Sequence, residues 1–195
     1  NKSVLERMRL DGKAALVTGG GQGIGRAFAH ALAEAGAAVC VADIAEGRAQ
    51  EVVAELTAKG ARAFAHKVDC TDAASIAAMV DAVVNEFGAL DIAVNNAGVN
   101  KPTMFPDTPK ENYDFIMSVN AWGKFNVMRA VSKQMIAQGK RDYIYKVINV
   151  GSIASRMSFD DIIPYSMAKH AVLALIRGGA KALAPHNITV NGYGP

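Results

Sequence analysis

Cysteine is nearly absent. The 195 residues hold two, Cys40 and Cys70, and no disulfide framework or metal-ligand spacing follows from them. Cys40 sits in an apolar strand-like run and reads as a small buried residue. No apolar run approaches the length of a membrane span. Asn1 to Leu10 contain no hydrophobic segment of signal-peptide type. Charge of one sign is also lacking: the net charge is +3, and Lys and Arg are scattered rather than clustered. That excludes an argument for nucleic acid or for an acidic membrane surface. No internal repeat and no low-complexity linker stands out. These absences give the expectation of a cytoplasmic protein in a reducing compartment, without metal. The length favours one domain over residues 1–195. Residues 1–9 read as a leader, with Asn1 to Glu6 loose and without structural duty.

What is present is hydrophobic residue, 51% of the chain against 20% charged, enough for a large core. The apolar segments alternate in kind. Strands are expected at Lys13–Thr18, Ala38–Asp43, Ala61–Val68, Leu90–Asn95, Tyr143–Val150 and Asn187–Asn191. Between them lie helical stretches closed by Gly36, Gly60 and Gly88, with Thr71 or Asp72 capping the third. The first helix is expected to turn Ala27, Phe28, Ala31, Leu32 and Ala35 to one face. A long helical region from about Lys110 to Ala137 is expected to break near Asn120 to Gly123. Strands apolar on both faces that alternate with helices predict an α/β fold: a doubly wound parallel sheet with helices on both faces. Such sheets bind ligands at the carboxyl ends of their strands. Gly19, Asp43, Asp69, Asn95 and Ser152 all fall at such ends.

Gly19, Gly23 and Gly25 lie between the first strand and the first helix. Glycine permits close backbone approach, and a helix amino end offers free N–H groups to a pyrophosphate. A phosphate loop of nucleotide triphosphatases is excluded, because Arg26 and Ala27 stand where its Lys and Ser or Thr are needed. Asp43 could accept both ribose hydroxyls of an adenosine and would repel an added phosphate. Gln22 and Ile44 offer no cation to that phosphate, so NAD is expected over NADP.

Tyr165 and Lys169 are four residues apart on a helix that Pro164 can start, and so share one face. A free tyrosine has a pKa of about 10, and a neighbouring ammonium favours its phenolate. The pair could move a proton to or from an alcohol oxygen. Ser152 lacks the glycine-flanked elbow of a hydrolase, since Val150 and Ala154 occupy the glycine positions. No histidine is placed as its base: His170 points away from the Tyr165 face, while His30, His66 and His186 read as surface or structural residues.

The ordered set Thr18-Gly-Gly-Gly-Gln-Gly-Ile-Gly25, Asp69, Asn95-Asn-Ala-Gly98, Asn120, Ser152 and Tyr165-x-x-x-Lys169 resembles the short-chain dehydrogenase/reductase family, from about Leu10 to Pro195. The resemblance implies a Rossmann-type sheet of strand order 3-2-1-4-5-6. It implies that Tyr165 is the proton donor or acceptor, that Lys169 holds the nicotinamide ribose, and that Ser152 holds the substrate oxygen. Asn120 would position a water in a proton relay with Lys169, and Asn95 would steady the sheet. The cofactor would lie against Gly19, Gln22, Gly23, Ile24, Gly25, Asp43, Ile44, Asp69, Cys70, Asn96, Ala97, Gly98, Tyr165, Lys169 and Pro195. Family members usually continue beyond this point with a further strand and a substrate-covering segment. A missing C-terminal part is therefore expected, and Met157 to Ile163 are left as the other pocket wall.

The implied activity is an NAD-dependent dehydrogenase of a secondary alcohol, or reductase of a ketone. Asn187 to Pro195 resemble the same stretch of polyol and vicinal-diol dehydrogenases. Val150-Gly-Ser-Ile resembles the serine segment of 3-oxoacyl-carrier-protein reductases, but these generally use NADP. Asp43 and Gln22 argue against them. A hydroxysteroid dehydrogenase is a further alternative. A dinucleotide-binding sensor without catalysis is disfavoured by the intact Ser152, Tyr165 and Lys169. Apolar residues on more than one helix face, at Val172, Leu173, Leu175 and Ile176, lead to the expectation of a homotetramer, or a homodimer.

Overall fold

Short apolar runs become strands here, and the central ones bury both of their faces. In β1 (Ala14–Thr18) all five residues are buried. Ala15 and Val17 turn to one side and Leu16 to the other, as the two-residue period of a strand requires. β2 (Ala38–Asp43) and β4 (Ile92–Asn95) follow the same rule: Val39, Val41, Ile92 and Val94 share a layer with Ala15, while Cys40, Ala42 and Ala93 share the layer of Leu16. The computed structural model, which describes residues 3–195, joins these with β3 (Ala63–Lys67), β5 (Tyr145–Val150) and β6 (Ile188–Tyr193) into one sheet of order β3-β2-β1-β4-β5-β6. Every pairing is parallel. The expected strand order is the observed one.

Helices α2 (Gly23–Glu34) and α3 (Glu46–Ala58) cover the layer of Ala15 and Val17, which holds Ala29, Ala49, Val52 and Leu56. Helices α4 (Ala73–Phe87), α6 (Lys124–Ala137) and α7 (Ile163–Leu183) cover the other, through Ile76, Met79, Val83, Val127, Val131 and Leu175. Asp72 caps α4 by accepting hydrogen bonds from Ala74 and Ser75, and Gly88 closes it in the left-handed conformation. Consecutive connections after β1 and β4, neighbours in the sheet, leave towards opposite faces. A crevice opens between them.

Four expectations are corrected. The leader is not wholly loose: Val4–Met8 form a short helix, α1. The Ser3-x-x-Glu6 spacing closes a capping box in which the Ser3 Oγ accepts from the Glu6 N–H and the Glu6 carboxylate from the Ser3 N–H. No residue of α1 is buried, and Asn1 and Lys2 lie outside the described residues. The face of α2 is also different. Gly25 and Ala29 are its buried residues, backed by Phe28, Leu32 and Ala33, while Ala27 and Ala31 are exposed. Alanine carries no polar signal and suits either side. β3 is an edge strand and only half-buried, so its two faces, Ala63 and Ala65 on one side and Phe64 on the other, are covered only in part. Finally, the break in the long helix is a wide π-type turn, Ser118–Gly123, between α5 (Lys110–Met117) and α6. It keeps the helix continuous rather than ending it.

Candidate active site

The loop after β1 and the loop after β4 touch. Gly19 has a φ of 62°, and a Cβ there would stand 2.9 Å from the Ala97 Cα, closer than real side chains come. Asn96 stitches the contact by donating from Nδ2 to the carbonyls of Thr18 and Gly19, each at 3.0 Å. Only the front of the glycine run, Gly19 to Gly21, precedes the helix. Gly23 to Gly25 are the first turn of α2, and Gln22 before them makes no capping bond with its side chain. The first N–H groups of a helix have no partner within it, so this end stands ready for an anion.

A cleft of about 410 Å³ runs along these loops. It gathers Gly19, Gln22, Gly23, Ile24, Gly25, Asp43, Ile44, Asp69, Cys70, Asn96, Ala97 and Gly98, twelve of the residues expected against a cofactor. It also brings in Ala45, Arg48, Val68, Thr71, Val99, Phe115 and Val119, which sequence reasoning missed. Asp43, at the end of β2, is buried and accepts from the Gly21 N–H at 2.9 Å and the Ala45 N–H at 3.0 Å. These two bonds aim its carboxylate across the glycine loop. Asp69 accepts from the N–H and hydroxyl of Thr71. Burial pushes the Cys70 thiol up to about 11, against the opposing charge of Lys124, which leaves it a poor nucleophile.

Arg48 corrects the view that no cation faces this end of the cleft. It stands on α3, and its Nη1 donates to the Gln22 Oε1 at 2.6 Å. The signal was available: Arg48 falls in the first helical turn after Asp43, close enough for α3 to bring it back over the loop. Donors at a helix end, an oriented carboxylate and apolar Ile24, Val68 and Val119 suit a dinucleotide's pyrophosphate, ribose and base. A slightly larger cavity, about 480 Å³, opens among Lys13, His30, Leu56 and Phe87. It lies at the amino ends of the strands, away from all of these groups.

Tyr165, Lys169 and Pro195 do not line the cleft. They gather at the carboxyl end of β5 instead. The Lys169 ammonium donates to the Val150 carbonyl at 3.0 Å and lies 5.3 Å from the centre of the Tyr165 ring. Burial draws its pKa down to about 8. Two residues past Val150, the Ser152 Oγ accepts from the Ala154 N–H and caps a short turn, Ile153–Ser155. Pro195 accepts from the Ile153 N–H at 2.8 Å, which brings the last residue beside this turn. The Thr103 N–H donates to the Asp161 carbonyl at 2.8 Å, linking the loop after β4 to the 157–163 segment.

Asn120 is fully buried, and both ends of its amide bind Val99: the Oδ1 accepts from the Val99 N–H at 2.8 Å and the Nδ2 donates to its carbonyl at 2.6 Å. Asn95 donates to the Asn149 Oδ1 at 2.9 Å, joining β4 to β5. His170 is exposed with its Nδ1 2.8 Å from the Ser166 carbonyl oxygen, and His30 pairs with Glu55. Among the described residues no group of His, Cys, Asp and Glu has metal-binding spacing, and no helix is long and apolar enough to cross a membrane.

The family model described as short chain dehydrogenase matches residues 13–195. The galactitol 2-dehydrogenase of Agrobacterium fabrum is 39% identical over 188 residues, 96% of this chain and 71% of the relative. A gluconate 5-dehydrogenase of Burkholderia cenocepacia, solved with NADP and tartrate, is 37% identical and superposes with a TM-score of 0.92, over 99% of this chain and 74% of the other. An NAD⁺-bound xylitol dehydrogenase is 34% identical, with a TM-score of 0.90 over 95% of this chain and 70% of the other.

Proposed function

We propose, from the premise that this chain belongs to the short-chain dehydrogenase family and is an oxidoreductase acting on an alcohol or ketone, that its substrate is a sugar alcohol or vicinal diol and its cofactor NAD. The observation that carries the chemistry is the Lys169 ammonium, pinned to the Val150 carbonyl and lying against the Tyr165 ring, beside Ser152. When bound, the dinucleotide supplies or takes up the hydride.

The chain's own residues do the rest. The amino end of α2 holds the pyrophosphate, and Asp43 accepts from the ribose hydroxyls. Ser152 donates to the substrate oxygen and orients it. Tyr165 takes the proton from the hydroxyl on oxidation and returns it on reduction. Lys169 keeps positive charge beside Tyr165 and offers its remaining N–H groups to the nicotinamide ribose. Asn120 positions the water of a proton relay with Lys169. Met157 to Ile163, tied to Thr103, form a wall of the substrate pocket.

A polyol is supported by the likeness to galactitol and xylitol dehydrogenases. Arg48 favours a second reading for the cofactor: its guanidinium, beside Gln22, could pair with the added phosphate of NADP, and one similar enzyme was solved with that cofactor. An apolar recess of about 450 Å³ between α6 and α7, lined by Phe125, Met128, Ile136, Leu175 and Leu183, supports assembly through these helices into a dimer or tetramer.

The test is turnover with NAD and, in parallel, NADP, on sugar alcohols, vicinal diols, hydroxysteroids and 3-hydroxyacyl thioesters. Turnover of the first two classes with NAD is expected. Activity confined to the thioesters with NADP would overturn both the substrate and the cofactor.

A further inference from the structure

Lys124 is 1% exposed, which is unusual for a lysine, because a buried ammonium is costly unless it is paired. Among the described residues no carboxylate is its partner. Burial, with the Lys169 charge adding to it, draws its pKa well below the ordinary lysine value. An apolar side chain of the same length would fill the space at less cost. The reason for a lysine lies in its nitrogen, which donates to the Asn95 carbonyl at 2.7 Å. Asn95 returns the bond by donating from its Nδ2 to the Lys124 carbonyl at 2.8 Å.

This reciprocal pair has a counterpart four residues earlier. Asn120 makes the same two-way exchange with Val99. One stretch of helix thus grips the loop after β4 at both ends, Asn95 by Lys124 and Val99 by Asn120. Between the grips stand Asn96, Ala97 and Gly98, which line the cleft together with Val99. The donor survives loss of the proton, since a neutral amine also carries N–H groups.

We infer that Lys124 is a positioning residue for dinucleotide binding: by holding the Asn95 carbonyl it fixes the near end of the Asn96–Gly98 segment, as Asn120 fixes the far end. This rests on the reading of the cleft as a dinucleotide site. Lys124 does not touch the cofactor or the reacting atoms, and its effect passes through the loop.

The experiment is Lys124→Met, which keeps the length and removes the donor. Thermal unfolding, NAD and NADP dissociation constants by calorimetry, and kcat with cofactor KM are measured beside wild type. The variant is expected to unfold at the wild-type temperature or above it. Its affinity for the preferred cofactor should be about tenfold weaker or more, since the hydrogen bond that fixes the Asn95 carbonyl is lost. Its kcat at saturating cofactor should stay within about threefold. Should Lys124→Met fail to fold, Lys124→Leu is read in the same way. Wild-type cofactor affinity in the folded variant would overturn the role of Lys124, and a fall in kcat with unchanged KM would replace it with a catalytic one. If wild type bound neither dinucleotide, the reading of the cleft would fall, and the role of Lys124 with it.

Discussion

Thr18 and Asn96, 78 residues apart, are joined by two hydrogen bonds of 3.0 Å: the Asn96 N–H donates to the Thr18 Oγ1, and the Asn96 Nδ2 to the Thr18 carbonyl. The Thr18 hydroxyl also accepts from the Ala97 N–H. Thr18→Val keeps the shape and removes that acceptor from two main-chain donors. A loss of about 1–3 kcal/mol of stability is expected, the cost of leaving such groups unpaired, with weaker dinucleotide binding. Urea unfolding measures it, and a variant as stable as wild type would show that the two loops are held together by other contacts.

Tyr165→Phe removes only the hydroxyl. Turnover should fall by about 10² to 10⁴, the usual worth of a positioned acid or base, while calorimetric cofactor affinity is unchanged. Equal turnover would remove Tyr165 from the proton path.

Lys169 gives a signed pH dependence. Its folded pKa is about 8 against an ordinary 10.5, so between those values the unfolded chain binds more protons at this site. Its contribution to stability therefore rises with pH across that window and is lost as pH falls through about 8. Lys169→Met lacks the site, which separates it from every other group that titrates there. The unfolding free energy of wild type minus that of Lys169→Met should rise by about 3 kcal/mol between pH 8 and 10.5. A flat difference would mean that this lysine titrates normally.

On the proposed reading of the cleft, Asp43 and Arg48 should pull cofactor choice in opposite directions. A carboxylate near the added phosphate costs on the order of 4 kcal/mol at 4 Å in a partly screened setting. Asp43→Asn should raise the NADP-to-NAD ratio of kcat/KM by more than about tenfold, and Arg48→Ala should lower it. An unmoved ratio in both variants would place discrimination elsewhere in the cleft.

Phe125 lines the recess between α6 and α7 and is 43% exposed. Phe125→Asp should split the assembly, read by sedimentation as a drop to the mass of one chain. A wild type that already sediments as one chain would sink the assembly proposal.

Much of this architecture was legible because strand and loop chemistry are local. The strands and the mouth of the cleft follow from apolar runs that end in glycine or Asp, whereas the strand order and the full set of cleft residues follow only from the family resemblance of the ordered motifs. Arg48 and Lys124 were harder to see, because their meaning depends on where a helix lays them down. A lysine four residues past Asn120 looks like a solvated charge until α6 is packed against β4. Asp91 is a similar case: it is buried, and it accepts from the Ala14 N–H and the Tyr143 hydroxyl, three segments that no spacing in the sequence links. The face of α2 was misread for the opposite reason, since alanine and glycine fit wherever the backbone comes close.

The wide turn at Ser118–Gly123 works as a phase shifter. A helix that gives one residue more to a turn falls behind its own rhythm by about 100°, so α6 follows α5 out of step. Deleting Ala121 would restore the beat, and it would also swing every later side chain of α6 round the axis. Such a shortened chain would keep its helix and lose its timing: Lys124 would no longer arrive opposite Asn95, although no residue in contact with the cleft had been changed.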